Sequence, residues 1–334
     1  MTYIGTSTIG ASTGFGRRAR LGAAVLACLA LGACDLFAAK PSDMAPRARP
    51  AGLVKPRPDP APEPPSAASR DLAQYYARVQ ADLVAQGLLR TDGGGPDTPY
   101  TSDMLIRNFE RIAFYDEYAP EAGLKASTGA AKALRRWNGP VRISTEFGAS
   151  VGPEMRKEAS GEVAAYAARL ARLTGHAIEA NARKPNFQVF FLSEDDRAAA
   201  LPKIRALVPS ISPASMQVLR DLERPIHCLV IAFSDDQSAD SYNHAIAIIR
   251  AEHPDILRRA CIHEELAQGL GLGNDSPAAR PSIFNDDDEF AYLTSHDEKL
   301  LQLLYDPRLK TGMRVEEARP ILRILGREVM GDAL

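Results

Sequence analysis

The feature that most constrains this chain is a run of prolines that separates two very different segments. Nine prolines occur between positions 41 and 65. Proline lacks a backbone N–H and fixes φ, so this run cannot form a helix or a paired strand. It predicts an extended spacer, either a stalk or disordered filler, over residues 34–68. A leader over residues 1–33 precedes it, and a body over residues 69–334 follows.

The leader has the pattern of an export signal. Three arginines precede an apolar stretch over residues 21–33, and no acidic residue occurs before Asp35. This stretch is too short to span a bilayer as a stable helix, which is typical of a cleaved signal peptide. The tetrapeptide Leu-Gly-Ala-Cys that ends at Cys34 resembles the lipobox of bacterial lipoproteins. The resemblance implies that Cys34 becomes the lipidated first residue.

These features predict a lipoprotein of the bacterial cell envelope that is anchored in a membrane by its N-terminal lipid. Acyl chains on Cys34 would hold the body firmly, because each buried methylene contributes about 0.8 kcal/mol. Asp35 favours retention in the inner membrane with the body facing the periplasm, as in enteric lipoproteins. The alternative is an ordinary signal peptide that is cut after Gly32 or Ala33.

Composition excludes several classes of protein. Lys+Arg number 40 against 42 Asp+Glu, so the formal net charge is −2 and nucleic acid is not an expected partner. Hydrophobic residues make up 45% of the chain, which is ordinary for a globular body with a core. The body contains no GxGxxG, Walker A, GxSxG or CxxC motif, so dinucleotide binding, phosphate-loop chemistry and the nucleophile elbow have little support.

The order of helical and strand patterns in the body predicts an α+β fold. We expect a helical N-terminal region over 69–138 that packs on a mixed-sheet domain over 139–334. The predicted helices are 70–88, 102–118, 127–137, 154–174, 195–207, 212–222 and 254–270, and the predicted strands are 140–147, 187–192, 228–233 and 243–249.

The predicted helix at 254–270 carries the residues that could bind a metal or take part in catalysis. His263 and Glu264 suggest a zinc-binding HExxH helix, but Ala267 stands four residues after His263, so no second ligand shares its face. His263 falls beside the apolar stripe of the helix. We therefore expect a packed or hydrogen-bonded histidine rather than a metal ligand.

A different spacing appears when counting starts at Glu264. Gln268, Gly271 and Asn274 follow at +4, +7 and +10. This spacing resembles the HExxHxxGxxH motif of the metzincin metallopeptidases, with Glu265 at the general-base position. Positions +0 and +4 share a helical face, and a glycine at +7 permits the sharp turn that would bring +10 back. We expect these side chains to meet in one cleft.

Further motifs surround this spacing in the second half of the body. They are Glu264-Glu265-x-x-Gln268, Leu270-Gly-Leu272, Asn274-Asp275-Ser276, Pro281-Ser-Ile-Phe-Asn-Asp286, Leu293-Thr294, His296-Asp297 and Leu304-Tyr-Asp-Pro-Arg308. With the lipobox, these motifs resemble the proteobacterial lipoproteins called domain of unknown function 2927.

The metzincin-like part of this resemblance covers about residues 226–306 and implies a zincin-like core. In that fold Ser282 and Phe284 would stand at the turn where metzincins place a methionine. The strand at 243–249 would form the edge strand over the cleft. Thr294 and Asp297 would cap the C-terminal helix.

The substituted ligand positions decide what such a cleft could do. Zinc prefers imidazole, thiolate and carboxylate donors, whereas Glu264, Gln268 and Asn274 offer one carboxylate and two amides. Zinc should therefore bind weakly or not at all, and we assign no cofactor. Adding Asp275 would give an oxygen-only set closer to calcium or magnesium chemistry. Without a Lewis acid, Glu265 has no activated water to deprotonate.

Two classes of function follow. The favoured one is a pseudopeptidase, a non-catalytic envelope lipoprotein whose cleft binds a peptide or an envelope protein, because a fold alone does not confer activity. The alternative is an envelope metallopeptidase that uses a non-standard Glu/Gln/Asn metal site.

The body contains two cysteines, Cys228 and Cys261. Export to an oxidising compartment favours a disulfide between them, which would join a strand to the chemistry-bearing helix. The alternative is a pair of buried free thiols, because cysteine also packs as a small hydrophobe.

Overall fold

The computed structural model describes residues 2–6, 64–118, 123–125, 127–234, 240–285 and 287–332. Cys34, Asp35 and most of the leader and spacer lie outside these residues. The signal peptide and the lipid anchor therefore stay predictions. Within the described residues, no helix is both long and apolar enough to cross a bilayer.

Strands and helices are interspersed along the described residues, and one strand, β1, lies in the leader. The strands are β1 (Thr2–Thr6), β2 (Arg136–Trp137), β3 (Val141–Phe147), β4 (Ile178–Ala180), β5 (Phe187–Leu192), β6 (Cys228–Ser234) and β7 (Ser241–Arg250). The helices are α1 (Ala67–Ala85), α2 (Ser102–Ala113), α3 (Pro153–Thr174), α4 (Arg197–Leu207), α5 (Pro213–Arg220), α6 (Asp255–Gly269), α7 (Ser295–Tyr305) and α8 (Val315–Met330).

One mixed sheet organises the body, with the strand order β1-β6-β7-β5-β3-β4 and β2 beside β7. Strands β4, β3, β5 and β7 run parallel to one another, and β6 runs antiparallel to β7. The short strand β1 pairs in parallel with the outer side of β6, which the sequence did not predict. The mixed sheet and its helices are consistent with the predicted α+β class.

The strand predicted at 243–249 does not form the edge of the sheet. The observed strand β7 lies between β5 and β6, so the prediction that this strand forms the edge over the cleft is wrong. The reason is visible in its sequence, because Ala245 to Ile249 form an apolar run that is buried on both faces. Such a run is typical of an inner strand.

The helix predicted at 127–137 is also absent. The backbone N–H of Lys132 donates to Phe114, and the N–H of Leu134 donates to Met313. Trp137 belongs to β2, is 1% exposed, and donates from Nε1 to the carbonyl of Gly269 over 2.8 Å. Tertiary partners therefore use the backbone groups that a helix would need, and they override the helix propensity of the alanines.

Both faces of the sheet are covered by helices. Alternate residues of β6 divide between two cores: Val230 lies in the core that contains α3, α6 and α7, and Ile231 lies in the core that contains α4 and α5. The first core also includes Leu105 and Phe109 of α2, so this helix shares it with the sheet, whereas Tyr76 of α1 lies in a smaller separate cluster. The unpredicted helix α8 packs against α2.

Candidate functional site

Helix α6 carries the candidate site, and a disulfide fixes it to the sheet. Its residues Ile262 and Leu266 are buried in the core against the sheet. Cys261 bonds to Cys228, the first residue of β6, with an Sγ–Sγ distance of 2.01 Å and a Cα–Cα distance of 5.9 Å. The predicted disulfide is confirmed. It holds the exposed flank of α6 beside the start of β6.

Two adjacent carboxylates lie at this junction. One carboxylate oxygen of Glu264, one of Glu265 and Sγ of Cys228 all lie within 4.8 Å of one another. Because that sulfur belongs to the disulfide, it is not a thiolate and is not a metal ligand. The junction therefore offers an acidic pair. Glu264 is half-buried, and Glu265 is fully buried.

Burial changes the acidity of Glu265. Loss of solvent raises the pKa of this carboxyl well above its usual range, and the nearby carboxylates of Glu264, Asp275 and Glu117 raise it further. A buried acid of this kind is typical of functional sites, although structural clusters also contain them. The raised pKa favours the protonated form, which carries no charge for a metal ion.

Gln268 lies one helical turn after Glu264 and is 1% exposed. Its Nε2 donates to Oδ1 of Asp275 over 3.4 Å. Its Oε1 has no hydrogen-bond partner among the described residues. The structure thus brings Gln268 and Asp275 together, and the carboxylate of Asp275 lies near enough to Glu265 to raise the pKa of that carboxyl.

Asn274 faces a different neighbour. Its Nδ2 donates to the backbone carbonyl of Arg111 over 2.9 Å. Arg111 lies in the last turn of α2, where carbonyl groups lack helical partners. The amide of Asn274 therefore ties the segment after α6 to α2.

The turn after α6 depends on a glycine. The helix ends at Gly269 with Leu270 as its C-cap, and Gly271 follows with a φ of +132°. A Cβ on Gly271 would lie 2.5 Å from the carbonyl oxygen of Arg135. Only glycine fits this backbone conformation and this close approach.

Ser282 and Phe284 lie in a buried turn that braces the segment after α6. The hydroxyl of Ser282 donates to Oδ1 of Asp297 over 2.6 Å, and the carbonyl of Phe284 accepts from the N–H of Ser276 over 2.8 Å. Asp297 and Thr294 form the predicted capping box of α7. The turn therefore connects the start of α7 to the residues beyond Asn274.

His263 packs on another side of α6. Its ring stacks on Tyr166 at a centroid distance of 4.0 Å, and its Nδ1 accepts from the N–H of Leu293 over 3.0 Å. Burial lowers the pKa of His263 to about 3, so the ring is neutral. It is a packed, hydrogen-bonded side chain.

A cavity of about 250 Å³ adjoins the acidic pair and the disulfide. Glu264 lines it, and so do His227, Asn285 and Asp288. Burial and the charge of Arg250 lower the pKa of His227 to about 4. Asn285 belongs to the motif Pro281-Ser-Ile-Phe-Asn-Asp286, whereas no motif in the sequence includes His227. Only the position of His227 next to Cys228 could have signalled it.

Comparison with known proteins identifies a family. Residues 102–324, about two thirds of the chain, match the family described as protein of unknown function (DUF2927). No curated protein and no solved structure matches the chain. The match includes α2, the sheet from β2 to β7, and the helices α6 and α7 that build the site. The chain belongs to the DUF2927 family.

Proposed function

We propose that the protein is a lipid-anchored lipoprotein of the bacterial cell envelope with a non-catalytic cleft that binds a peptide or a protein partner. The cleft is the cavity beside α6 that Glu264 and the disulfide line. The disulfide supports export, because such bonds persist in oxidising compartments. Lipid on Cys34 would supply the membrane attachment.

The metzincin-like part of the proposal is supported by the arrangement of α6. The helix follows β7, presents Glu264 and Gln268 one turn apart, and ends just before Gly271. The turn at Ser282 and Phe284 then packs against the segment after the helix. These features support a metzincin-like core, although β7 lies inside the sheet rather than at its edge.

The residues at the metal positions do not fit zinc. The amide nitrogen of Asn274 donates to a backbone carbonyl, and that of Gln268 donates to Asp275. A single anionic donor, Glu264, remains among the three positions, and neutral amides are poor zinc ligands. The hydrogen bond from Asn274 to Arg111 carries the proposal, because it gives this position a structural role.

A second function, a metallopeptidase with a non-standard metal, is favoured by one observation. Glu264 and Glu265 bring carboxylate oxygens within 4.8 Å of each other, and the buried Oε1 of Gln268, one turn further along α6, has no partner among the described residues. Oxygen donors suit magnesium or calcium better than zinc.

Metal analysis combined with a peptidase assay tests the proposal. The exported protein is purified without chelator, and its metal content and its cleavage of a mixed peptide library are compared with those of Glu265→Gln. We expect less than stoichiometric metal and no difference in cleavage between the two proteins. One bound metal per chain, with cleavage that the Glu265→Gln change abolishes, would instead establish the peptidase.

A further inference from the structure

The outer edge of β6 has a sequence that is open to pairing. The strand reads CLVIAFS, without proline or charge, and its only register shift lies at its end, between Phe233 and Ser234. Proteins normally protect edge strands with charges, prolines, bulges or covering segments, because an open edge pairs with other chains. This edge therefore needs a strand on its outer side.

In the structure that strand is β1. It runs parallel to β6, with Thr2 opposite Val230 and Thr6 opposite Ser234. The inference rests on the proposed function, in which residues 1–33 are removed during export. The mature protein would then present the edge of β6 without its covering strand.

The direction of pairing places the amino end of the added strand beside the acidic pair. Thr2 lies opposite Val230, two residues from Cys228. Cys228 lies within 4.8 Å of the carboxylates of Glu264 and Glu265. A cationic amino end would complement the half-buried carboxylate of Glu264, and partial burial strengthens such an attraction relative to water.

We propose that the β6 edge of the mature protein binds an extended segment of a partner polypeptide as an added parallel strand, with its amino end toward Glu264 and Glu265. Main-chain hydrogen bonds to β6 supply the affinity in this mode of recognition. The preferred segment has no proline at the alternate positions whose N–H groups donate to β6. Its amino end carries positive charge.

The test uses a synthetic peptide with the sequence of residues 2–9, a free amino end and a fluorophore at its carboxyl end. The mature protein, purified from membranes in detergent, is titrated against it by fluorescence anisotropy. Two further peptides carry N-methyl groups at alternate residues, one at the positions of Tyr3 and Gly5, the other at those of Ile4 and Thr6. They have the same composition and block opposite edges of the added strand.

We expect one N-methylated peptide to bind at least tenfold more weakly than the parent and the other to bind like the parent, because only one edge pairs with β6. Equal effects of the two peptides would overturn strand addition and leave peptide binding at another surface. Absence of parent binding up to millimolar concentration would also overturn it, while the metal and peptidase assay judges the proposed function independently.

A second experiment tests the role of charge. It compares the peptide that has a free amino end with the same peptide after N-acetylation. Acetylation should weaken binding at least threefold in the wild type, and this difference should shrink in Glu264→Gln. The matched control Glu154→Gln changes an exposed acid of α3, and it should keep the difference in affinity between the two peptides. An unchanged difference in Glu264→Gln contradicts the assigned direction. A mature dimer that the peptide dissociates would show that a second copy, rather than a partner, covers the edge.

Discussion

At the scale of single residues, Gly271 fixes the turn that follows α6. Its φ of +132° excludes a side chain, and so does the carbonyl oxygen of Arg135, which lies 2.5 Å from the position that a Cβ would take. We expect Gly271→Ala to lower the free energy of unfolding by about 2–4 kcal/mol, because the backbone must move. The control Gly175→Ala has a φ of +64° and open space around its Cβ, so it should cost only about 1 kcal/mol. Urea denaturation measures both, and equal losses would contradict the close approach.

His253 gives the protein a dependence on pH. Burial lowers the pKa of His253 well below its usual value, and burial lowers that of His227 beside it to about 4. The unfolded state binds these protons first, so the contribution of the two histidines to stability is present above about pH 6.5 and is lost as pH falls below it. Each histidine contributes at most about 1.4 kcal/mol per pH unit. The raised pKa of Glu265 acts in the opposite direction. Urea denaturation between about pH 7.5 and 5.5 therefore measures the histidine contribution as a difference in slope between the wild type and a variant without the histidine.

The variant His253→Phe keeps an aromatic ring against Tyr76 but cannot take up a proton. Its free energy of unfolding should fall less steeply with decreasing pH than that of the wild type. The same slope in both proteins would show that His253 does not carry the effect.

The sequence predicted single residues well where a local pattern defined them. The cap of α7 by Thr294 and Asp297 follows a local motif, and the disulfide joins the two cysteines that the body contains. It could not predict the partner of Asn274, because Arg111 lies 163 residues away in the chain. His227 was missed for the same reason, since the cavity beside it forms only in the folded chain.

At the scale of elements, buried strands were easier to predict than short ones. The strand Phe187–Leu192 lies where its apolar run predicts, because its burial on both faces leaves a strong signal. The three residues of β4 leave no such signal. The alanines and arginines before Trp137 predicted a helix, yet their backbone pairs with distant segments.

The disulfide joins two elements that the chain separates by 33 residues. The double variant Cys228→Ser, Cys261→Ser should lower the free energy of unfolding by about 3.5 kcal/mol, because the unfolded chain regains its loop entropy. Urea denaturation under non-reducing conditions measures the loss. Alkylation of the unfolded, unreduced wild type provides the control, and labelling of Cys228 and Cys261 before reduction would show that the bond is absent.

At the scale of the whole molecule, the order of strands could not be read from the sequence. The strand before α6 was expected at the edge, whereas β6 takes that side of the sheet. Periodicity reports whether a strand is buried, but it does not name its neighbours. The α+β class followed from the order of elements, which is a property of the chain alone.

The proposed lipid anchor is tested on the whole molecule. If acyl chains supply the attachment, Cys34→Ser should shift the protein from the membrane fraction to the soluble fraction, because 42 acidic residues against 37 basic ones after loss of Arg17, Arg18 and Arg20 add no attraction to anionic lipids. Fractionation of cells that express each form measures this shift. A Cys34→Ser protein that remains on membranes at the wild-type level would contradict lipid anchoring.

The central claim is that α6 and its turn keep a metzincin-like geometry whose zinc ligands have been replaced. The triple variant Glu264→His, Gln268→His, Asn274→His tests it most directly, because it restores three imidazoles at the same spacing. Circular dichroism checks that the variant is folded, and Asn274→His alone serves as the control. Zinc affinity is measured by competition with a chromophoric chelator. We expect the triple variant to bind one zinc ion about 100-fold more tightly than the wild type, since three imidazoles form a standard zinc site. A folded triple variant that binds zinc no better than the wild type would show that the three positions do not converge, and would contradict the claim.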